Sequence, residues 1–414
     1  MRIGIDDTDS PRTMCTTYLG AVLVRKLRES GIAVTRAYLV RLNPNVQFKT
    51  RGNAAIALDA EGDPDEAFSL ACRCVEELAD FKAENTHPGV VVATERPSPV
   101  FYQQAVKDFC TVGEAIRLLD ETGSLYRGYK NKRGLIGATA AVSAEFSDTT
   151  FEWLSYRPPE RWGSERKVDG DSLFVSQTMT MPNTWDTVDT TNHLVVCVPH
   201  TPDPVLLGIR GKNPFWVAKA RGFVQSESTD LEVIYATNQG TDVHLKEGVL
   251  GGLEEGRSYA LQGVVCSRPV TRRGGHVQFQ LGAENENVRC MAYEPTKDFR
   301  DTARKLLPGD HLIVFGSYKA GSINLEKIRV VALAEDTTIR PPLCVMCGKR
   351  MTSAGKGKGY KCRRCREHSS TPERAIHTRK IGPGWYEVPS CARRHLARPL
   401  ARGISDVSGH GGLL

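Results

Sequence analysis

The chain has 414 residues, 40% of them hydrophobic and 25% charged, with no low-complexity tract, so it is too long for one compact core and too apolar for wholesale disorder. Residues 1–10 carry four charges and no apolar run approaches the ~18 residues of a membrane span, which points to a cytoplasmic protein rather than a secreted or membrane one. The net charge of +7 is unevenly placed: between Pro341 and Arg402, 15 Lys/Arg face 3 Asp/Glu, and the rest of the chain is net acidic. Such a one-sided tail is the footprint of a polyanion binder.

In chain order, Arg2 to Asp6 reads as a strand and Thr17 to Glu29 as a helix with Leu19, Val22, Leu23 and Leu27 on one face. Ile32 to Leu42 and Asn53 to Leu58 read as strands, Asp63-Pro64 opens a helix to about Ala79, and Gly89 to Ala93 is a strand. That order, βαββαβ, is a split-βαβ or ferredoxin-like arrangement. Helices are expected at Pro99 to Phe109 and Val112 to Leu119. A second α/β region follows from Lys132 to about His244, with helices at Leu135 to Glu145 and from Pro214. Its strands are Thr150 to Tyr156, Leu194 to Val198, Val205 to Ile209 and Leu231 to Ala236, and residues 157–190 form an irregular insertion. From Gly256 five short strands, with a helix at Lys297 to Leu306 between the third and fourth, follow the order of an OB-fold barrel. Thr337 to Pro342 reads as a linker into the tail.

Of the 12 cysteines, Cys344, Cys347, Cys362 and Cys365 form two CxxC knuckles separated by 14 residues. In an intracellular chain that spacing calls for one Zn²⁺ in closed tetrahedral thiolate coordination, a structural site with no open position. Lys356, Lys358, Lys361, Arg363, Arg364 and Arg366 surround it and are candidates for phosphate contact.

At the end of the first strand, Asp6, Asp7 and Asp9 place three carboxylates in four residues. Either the loop is a solvated helix cap or a cation such as Mg²⁺ carrying nucleotide phosphates offsets the repulsion. Thr16 or Thr17 is the natural N-cap of the next helix, and that helix end also favours a phosphate. Lys49, Thr50, Arg51 and Asn53, with a permissive Gly52, suit triphosphate contacts, although no Walker loop occurs. Gly134 to Ala138 is a weaker glycine signal, better suited to close helix packing.

The runs IGIDDTDS and MCTTYL, with RLNP, KTRGN, RGLIGA, RPPERWGSER, VPHTPDPVLLGIRG, EPTKDFR, INLEKI, the CxxC pair and GWYEVPSCARRHLARPL, resemble the archaeal tRNA(Ile) agmatinylcytidine synthetases over the whole chain. The resemblance implies an enzyme that uses ATP to attach agmatine to the 2-position of the wobble cytidine in the CAU anticodon of an isoleucine tRNA. It implies phosphoryl activation of the cytosine carbonyl and a phosphorylated threonine, which maps to Thr16, beside Asp6, Asp7 and Asp9. It also implies a multidomain α+β architecture: a kinase-like catalytic domain over residues 1–110, a ferredoxin-like domain over 111–255, an OB-fold over 256–336, and a zinc ribbon with basic tail over 337–414. Arg393 and Arg394 join the ribbon cations as candidates for tRNA contact. Agmatine, a dication, needs carboxylates and aromatic faces. Glu152, Trp153, Glu160, Trp162 and Asp203 lie in the right region. The rival reading is a non-catalytic single-strand binder, which employs the barrel and ribbon but leaves the first 255 residues without a task.

Overall fold

The computed structural model describes residues 1–11, 13–49 and 52–403. β1 (Arg2–Asp6), α1 (Thr16–Glu29), β2 (Ala33–Arg41), β3 (Ala54–Glu61), α2 (Pro64–Leu78) and β4 (Gly89–Ala93) follow the expected βαββαβ order. The strands lie antiparallel in the order β4-β1-β3-β2. Leu19, Val22, Leu23 and Leu27 repeat at helical spacing along α1 and are all buried in one core with Ile3, Ile56 and Leu58. The Asp63 carboxylate starts α2 by accepting from the Glu66 N–H at 2.8 Å, with Pro64 in the first turn. Next come α3 (Pro99–Lys107), α4 (Val112–Glu121), β5 (Leu125–Gly128) and α5 (Gly134–Val142). β5 is not among the expected strands and pairs with β4. α5 and α3 pack on the face of β3 that carries Ala55 and Ala57, while α1 covers Ile56 and Leu58 on the other. The sheet is thus buried on both sides, and Asp6 at the C-terminal end of β1 lines a crevice between elements.

β6 (Thr150–Tyr156), α6 (Gly170–Thr180), β7 (Thr184–Trp185), β8 (Val188–Asp189), β9 (Leu194–Val195), β10 (Val205–Gly211), α7 (Pro214–Phe223) and β11 (Leu231–Thr237) follow. β11 pairs in parallel with β2 through Tyr38↔Ala236 and Leu39↔Thr237. A single nine-stranded sheet therefore runs β5-β4-β1-β3-β2-β11-β6-β10-β7 through both parts of the front half. Residues 157–190 are not wholly irregular, since they contain α6, β7 and β8. The strand expected at Leu194 to Val198 is confined to β9 and pairs with β8 outside the main sheet.

After β12 (Leu245–Glu247) come β13 (Ser258–Val265), β14 (Val270–Thr271), β15 (Val277–Ala283), β16 (Glu286–Ala292), α8 (Phe299–Arg304), β17 (His311–Lys319) and β18 (Ser322–Ala332). Five of these strands close a barrel in the order β13-β15-β16-β18-β17 and back to β13. Leu261, Phe279, Leu281, Val314, Ile323 and Ile328 fill it. The tail holds β19 (Asp336–Arg340), β20 (Thr352–Ser353), β21 (Tyr360–Lys361), β22 (His368–Ser369), β23 (Glu373–His377) and β24 (Gly384–Glu387). The stretch expected to be a linker is mostly β19, held antiparallel to β23. β24 extends the barrel at β18, and the residues beyond it return to the front half, where the Gly240 N–H donates to the His395 carbonyl at 2.7 Å. No helix of the described residues is long and apolar enough to cross a membrane.

Candidate active site and zinc centre

β1 delivers Asp6 to the crevice, and the chain turns there through Asp7, whose φ of 58° lies in the left-handed region. Asp9 Oδ1 accepts from the Thr16 N–H at 2.5 Å and from Thr16 Oγ1 at 2.9 Å, and Thr8 Oγ1 donates to Thr16 Oγ1 at 3.0 Å. The expected capping role of Thr16 or Thr17 is thereby corrected. Cys15 occupies the N-cap position without a side-chain cap bond, and the Asp9 carboxylate reaches in from seven residues upstream to satisfy the first turn. Thr86 Oγ1 donates to the Asp9 carbonyl at 2.7 Å and fixes the far side of the loop.

A cavity of about 220 Å³ opens beside this loop, and it gathers Asp6, Asp7, Asp9, Thr16, Lys49 and Asn53 from the expected set. Thr50 and Arg51 lie outside the described residues. Asn53 Nδ2 donates to the Asn43 carbonyl at 3.0 Å, so it also braces the turn that carries Lys49. Arg133 is a site residue that the sequence reading does not single out. It grips Asp7 with two bonds, Nε to Oδ2 at 2.9 Å and Nη2 to Oδ1 at 3.1 Å, and donates to the Asn85 carbonyl at 2.6 Å. Its signal is the arginine of RGLIGA, beside the more conspicuous glycines. Those glycines do pack closely: a Cβ on Gly137 would lie 1.8 Å from Asp6 Oδ2, so only glycine lets α5 pass the carboxylate.

Burial and then the charge of Asp7 push the Asp6 carboxyl well above the ordinary range. Burial raises Asp7 to about 6, against the pull of Arg133. Carboxylates held this way gain from an added cation. Among the described residues the three aspartates do not form a closed cage, since only the four cysteines bring three or more ligand atoms within 4.8 Å of one another.

Cys344, Cys347, Cys362 and Cys365 do form such a cage, with Cys347 Sγ 3.6 Å from Cys362 Sγ. A tetrahedron with Zn–S bonds of about 2.3 Å sets its sulfurs about 3.8 Å apart, so the residues fit the metal. The Cys365 N–H, 3.4 Å from Cys362 Sγ, leads the contacts that hold the Cys362 thiol down to about 7. A hydrogen bond with Cys347, then burial and neighbouring charge, push Cys365 up to about 12, because four thiols this close cannot all ionise without a cation. Lys356, Lys358, Lys361, Arg363, Arg364 and Arg366 are all exposed on this ribbon.

Arg393 and Arg394 stand apart from them. Arg393 pairs with Asp186 and, at 2.8 Å, with Glu387, and its side chain is 7% exposed. Arg394 donates to Asn45 Oδ1 at 3.1 Å and to Ser317, joining barrel to front half. Of the candidates for a dication, Asp203 is taken up by Arg166 and by the Val205 N–H. Trp162 donates to the Arg157 carbonyl at 2.9 Å and stacks edgewise on Tyr18. Trp153 donates to Ser155 Oγ at 3.2 Å, and Glu160 is exposed. Glu152 is buried beside Arg210 and Arg41.

Sequence-family profiles match residues 2–62 (TiaS TCKD domain), 132–244 (TiaS FLD domain) and 341–381 (TiaS C-terminal zinc ribbon domain). The isoleucine-tRNA 2-agmatinylcytidine synthetase TiaS of Methanocorpusculum labreanum is 49% identical over 411 residues, 98% of each chain. The crystal structure of TiaS in complex with its isoleucine tRNA and ATP superposes with a TM-score of 0.91 at 41% identity over 98% of both chains. A complex of TiaS with the same tRNA, AMPCPP and agmatine does so with a TM-score of 0.88 at 39% identity, over 99% of this chain and 98% of that one.

Proposed function

The chain belongs to the TiaS family, the isoleucine-tRNA 2-agmatinylcytidine synthetases, and on that footing we infer that it spends ATP to join agmatine to carbon 2 of the wobble cytidine in the CAU anticodon of an isoleucine tRNA, so that AUA is read. The observation that carries this reading is the cavity of about 220 Å³ where Asp6, Asp7, Asp9, Thr16 and Lys49 converge. A single-strand binder has no use for it.

The chemistry follows from the leaving group. An amide-like carbonyl oxygen is not displaced by an amine, but phosphorylation converts it to a phosphate, which leaves when the agmatine amine attacks carbon 2. Asp6 and Asp7 would hold Mg²⁺, which when bound neutralises phosphate charge. Arg133 fixes Asp7, Lys49 would supply a cation to the triphosphate, and Thr16, whose hydroxyl donates to Asp9 Oδ1 at 2.9 Å, would accept a phosphoryl group. Catalysis here is mainly positioning and charge neutralisation. The target base must leave the anticodon stack to reach the cavity, which requires a separate hold on the tRNA body. The exposed ribbon cations meet that need, with Zn²⁺ keeping the ribbon folded.

The division into a kinase-like unit (1–110), a ferredoxin-like unit (111–255), an OB-fold (256–336) and a ribbon with tail (337–414) belongs to this same reading, as does a cytoplasmic setting. Incubation with ATP, Mg²⁺, agmatine and the isoleucine tRNA should yield the agmatine adduct on nucleoside analysis, with AMP released. An unmodified cytidine from folded, zinc-loaded protein would refute it.

A further inference from the structure

The segment after β24 leaves the ribbon and barrel, buries Leu396 in the front-half core beside Val40 and Ala55, and sets the part-buried His395 next to it. Arg210 Nη2 lies 2.8 Å from His395 Nδ1. A guanidinium only donates, so Nδ1 accepts and the proton of the neutral ring sits on Nε2. Burial, then the charges of Arg41, Arg210 and Lys49, push the imidazole pKa well below its ordinary value and keep the ring neutral. Arg210 is itself fixed on β10 by Glu152 Oε1 at 3.2 Å, and Glu152 Oε2 accepts from Gln239 Nε2 at 2.5 Å. The opposite edge of the ring faces Gly52: a Cβ there would lie 3.3 Å from Nε2 and 2.6 Å from Arg41 Nη1. Gly52 stands between Lys49 and Asn53 and lines the cavity with them.

We propose that His395 is a positioning residue of the nucleotide site: the returning tail wedges a neutral imidazole between Arg210 and Gly52 and so sets Gly52 and Asn53 against the cavity. The proposal rests on the reading of that cavity as the ATP site. An apolar wedge would fill the space but leave a part-buried Arg210 N–H without its His395 acceptor, free to pull Arg210 off Glu152. The ring does both jobs.

The test is steady-state kinetics at saturating tRNA and agmatine, with K49A beside three replacements of His395. H395A should raise the KM for ATP about tenfold, the equivalent of one lost hydrogen bond, while kcat and the Kd for tRNA stay near those of the parent. H395N returns an acceptor where Nδ1 stood and should recover most of the KM. H395L keeps the bulk without the acceptor and should not. Recovery by H395L as full as by H395N would reduce the role to packing and overturn the proposal, and this comparison stands even if H395A folds poorly. A raised KM in K49A with a parental KM in H395A overturns the positioning role alone. Parental values in both overturn the nucleotide-site reading with it.

Discussion

Asp9, Thr16 and Arg133 divide the acidic loop into parts that do different work. Three neighbouring aspartates look equivalent in a sequence, yet Asp9 is spent on the first turn of α1, Asp7 is locked by Arg133, and Asp6 is packed against Gly137 of α5. Their proximity to one another is legible because β1 ends where they begin. Arg133 is not, since it arrives from 126 residues away on the turn into α5 and no local pattern announces that meeting. The division gives a prediction. Asp7→Asn should abolish Mg²⁺-dependent ATP cleavage with little change in unfolding midpoint. Asp9→Ala should lose activity and also about 1 kcal/mol of stability, the usual worth of a helix cap. Equal stability in the two variants, measured by urea unfolding, would deny Asp9 its capping role.

At the scale of elements, α1 and the barrel strands are readable because their apolar residues repeat with the period of the structure they adopt. α6 defeats that rule. It turns Ser172, Ser176, Gln177 and Thr180 inward, and these are satisfied by hydrogen bonds such as Ser176 Oγ to the Ala220 carbonyl at 2.8 Å and Gln177 Nε2 to the Thr184 carbonyl at 2.9 Å. β19 escapes for the opposite reason, since it pairs with β23 but leaves Ile339 71% exposed and has no core-facing side to reveal it. The ribbon has little apolar interior beyond Met351 and Tyr360 around the cysteines. Replacing Cys362 with Ser should therefore release the zinc and unfold the ribbon while the remainder melts as before, which metal analysis and a two-probe thermal scan would check. The ribbon's far end is pinned separately. Arg379 Nη2 donates to Asp310 Oδ2 at 2.7 Å, and Asp310 also accepts from the Leu307 N–H at 2.8 Å and the Ala334 N–H at 2.9 Å. Burial opposes this carboxylate, but Arg379 and the two amides outweigh it and hold Asp310 below its ordinary value of 3.8. The unfolded chain then binds the proton first as pH falls, so the contribution is complete above about pH 4 and is lost on acidification below it. Asp310→Asn should flatten that acid limb of the stability curve and cost about 3 kcal/mol at neutral pH, since it leaves a buried guanidinium half-paired. An unchanged acid limb in urea midpoints would show that other carboxylates set it.

The whole molecule is tied together by its last described residues. Arg393 reaches Asp186, Arg394 reaches Asn45 and Ser317, and Arg398 and Arg402 both reach Asp148, so one short segment bolts barrel to front half. Composition alone groups these arginines with the ribbon cations as a single basic tail. Only the fold separates those facing solvent from those spent on internal carboxylates. Cutting the chain before β24 would remove both sets and confuse their roles. Arg340 and Glu373 are partners across β19 and β23, so residues 341–372 can be replaced by a short Gly-Ser turn that keeps the tail. That excision should weaken tRNA binding steeply and leave the KM for ATP nearly unchanged. It should also lower the slope of log K against log salt by several units, at about 0.7–0.9 per lost phosphate contact.

Specificity for one tRNA among those sharing an anticodon belongs to this largest scale. The wobble cytidine of a CAU anticodon is the same chemical group in the isoleucine tRNA and in the initiator and elongator methionine tRNAs, so a cavity of about 220 Å³ that admits the base cannot tell them apart. On the proposed reading, discrimination comes from surfaces that touch the tRNA body, for which the barrel and the exposed ribbon cations are the candidates. The intact protein should therefore modify the isoleucine tRNA and leave both methionine tRNAs nearly untouched at equal concentration, as nucleoside analysis of each would record. The protein with residues 341–372 excised should modify all three slowly and with a much narrower spread of kcat/KM, because it keeps the chemistry and loses part of what reads the body. If the excised protein retained the full preference, selection would reside in the front half and barrel, and the ribbon would serve affinity alone.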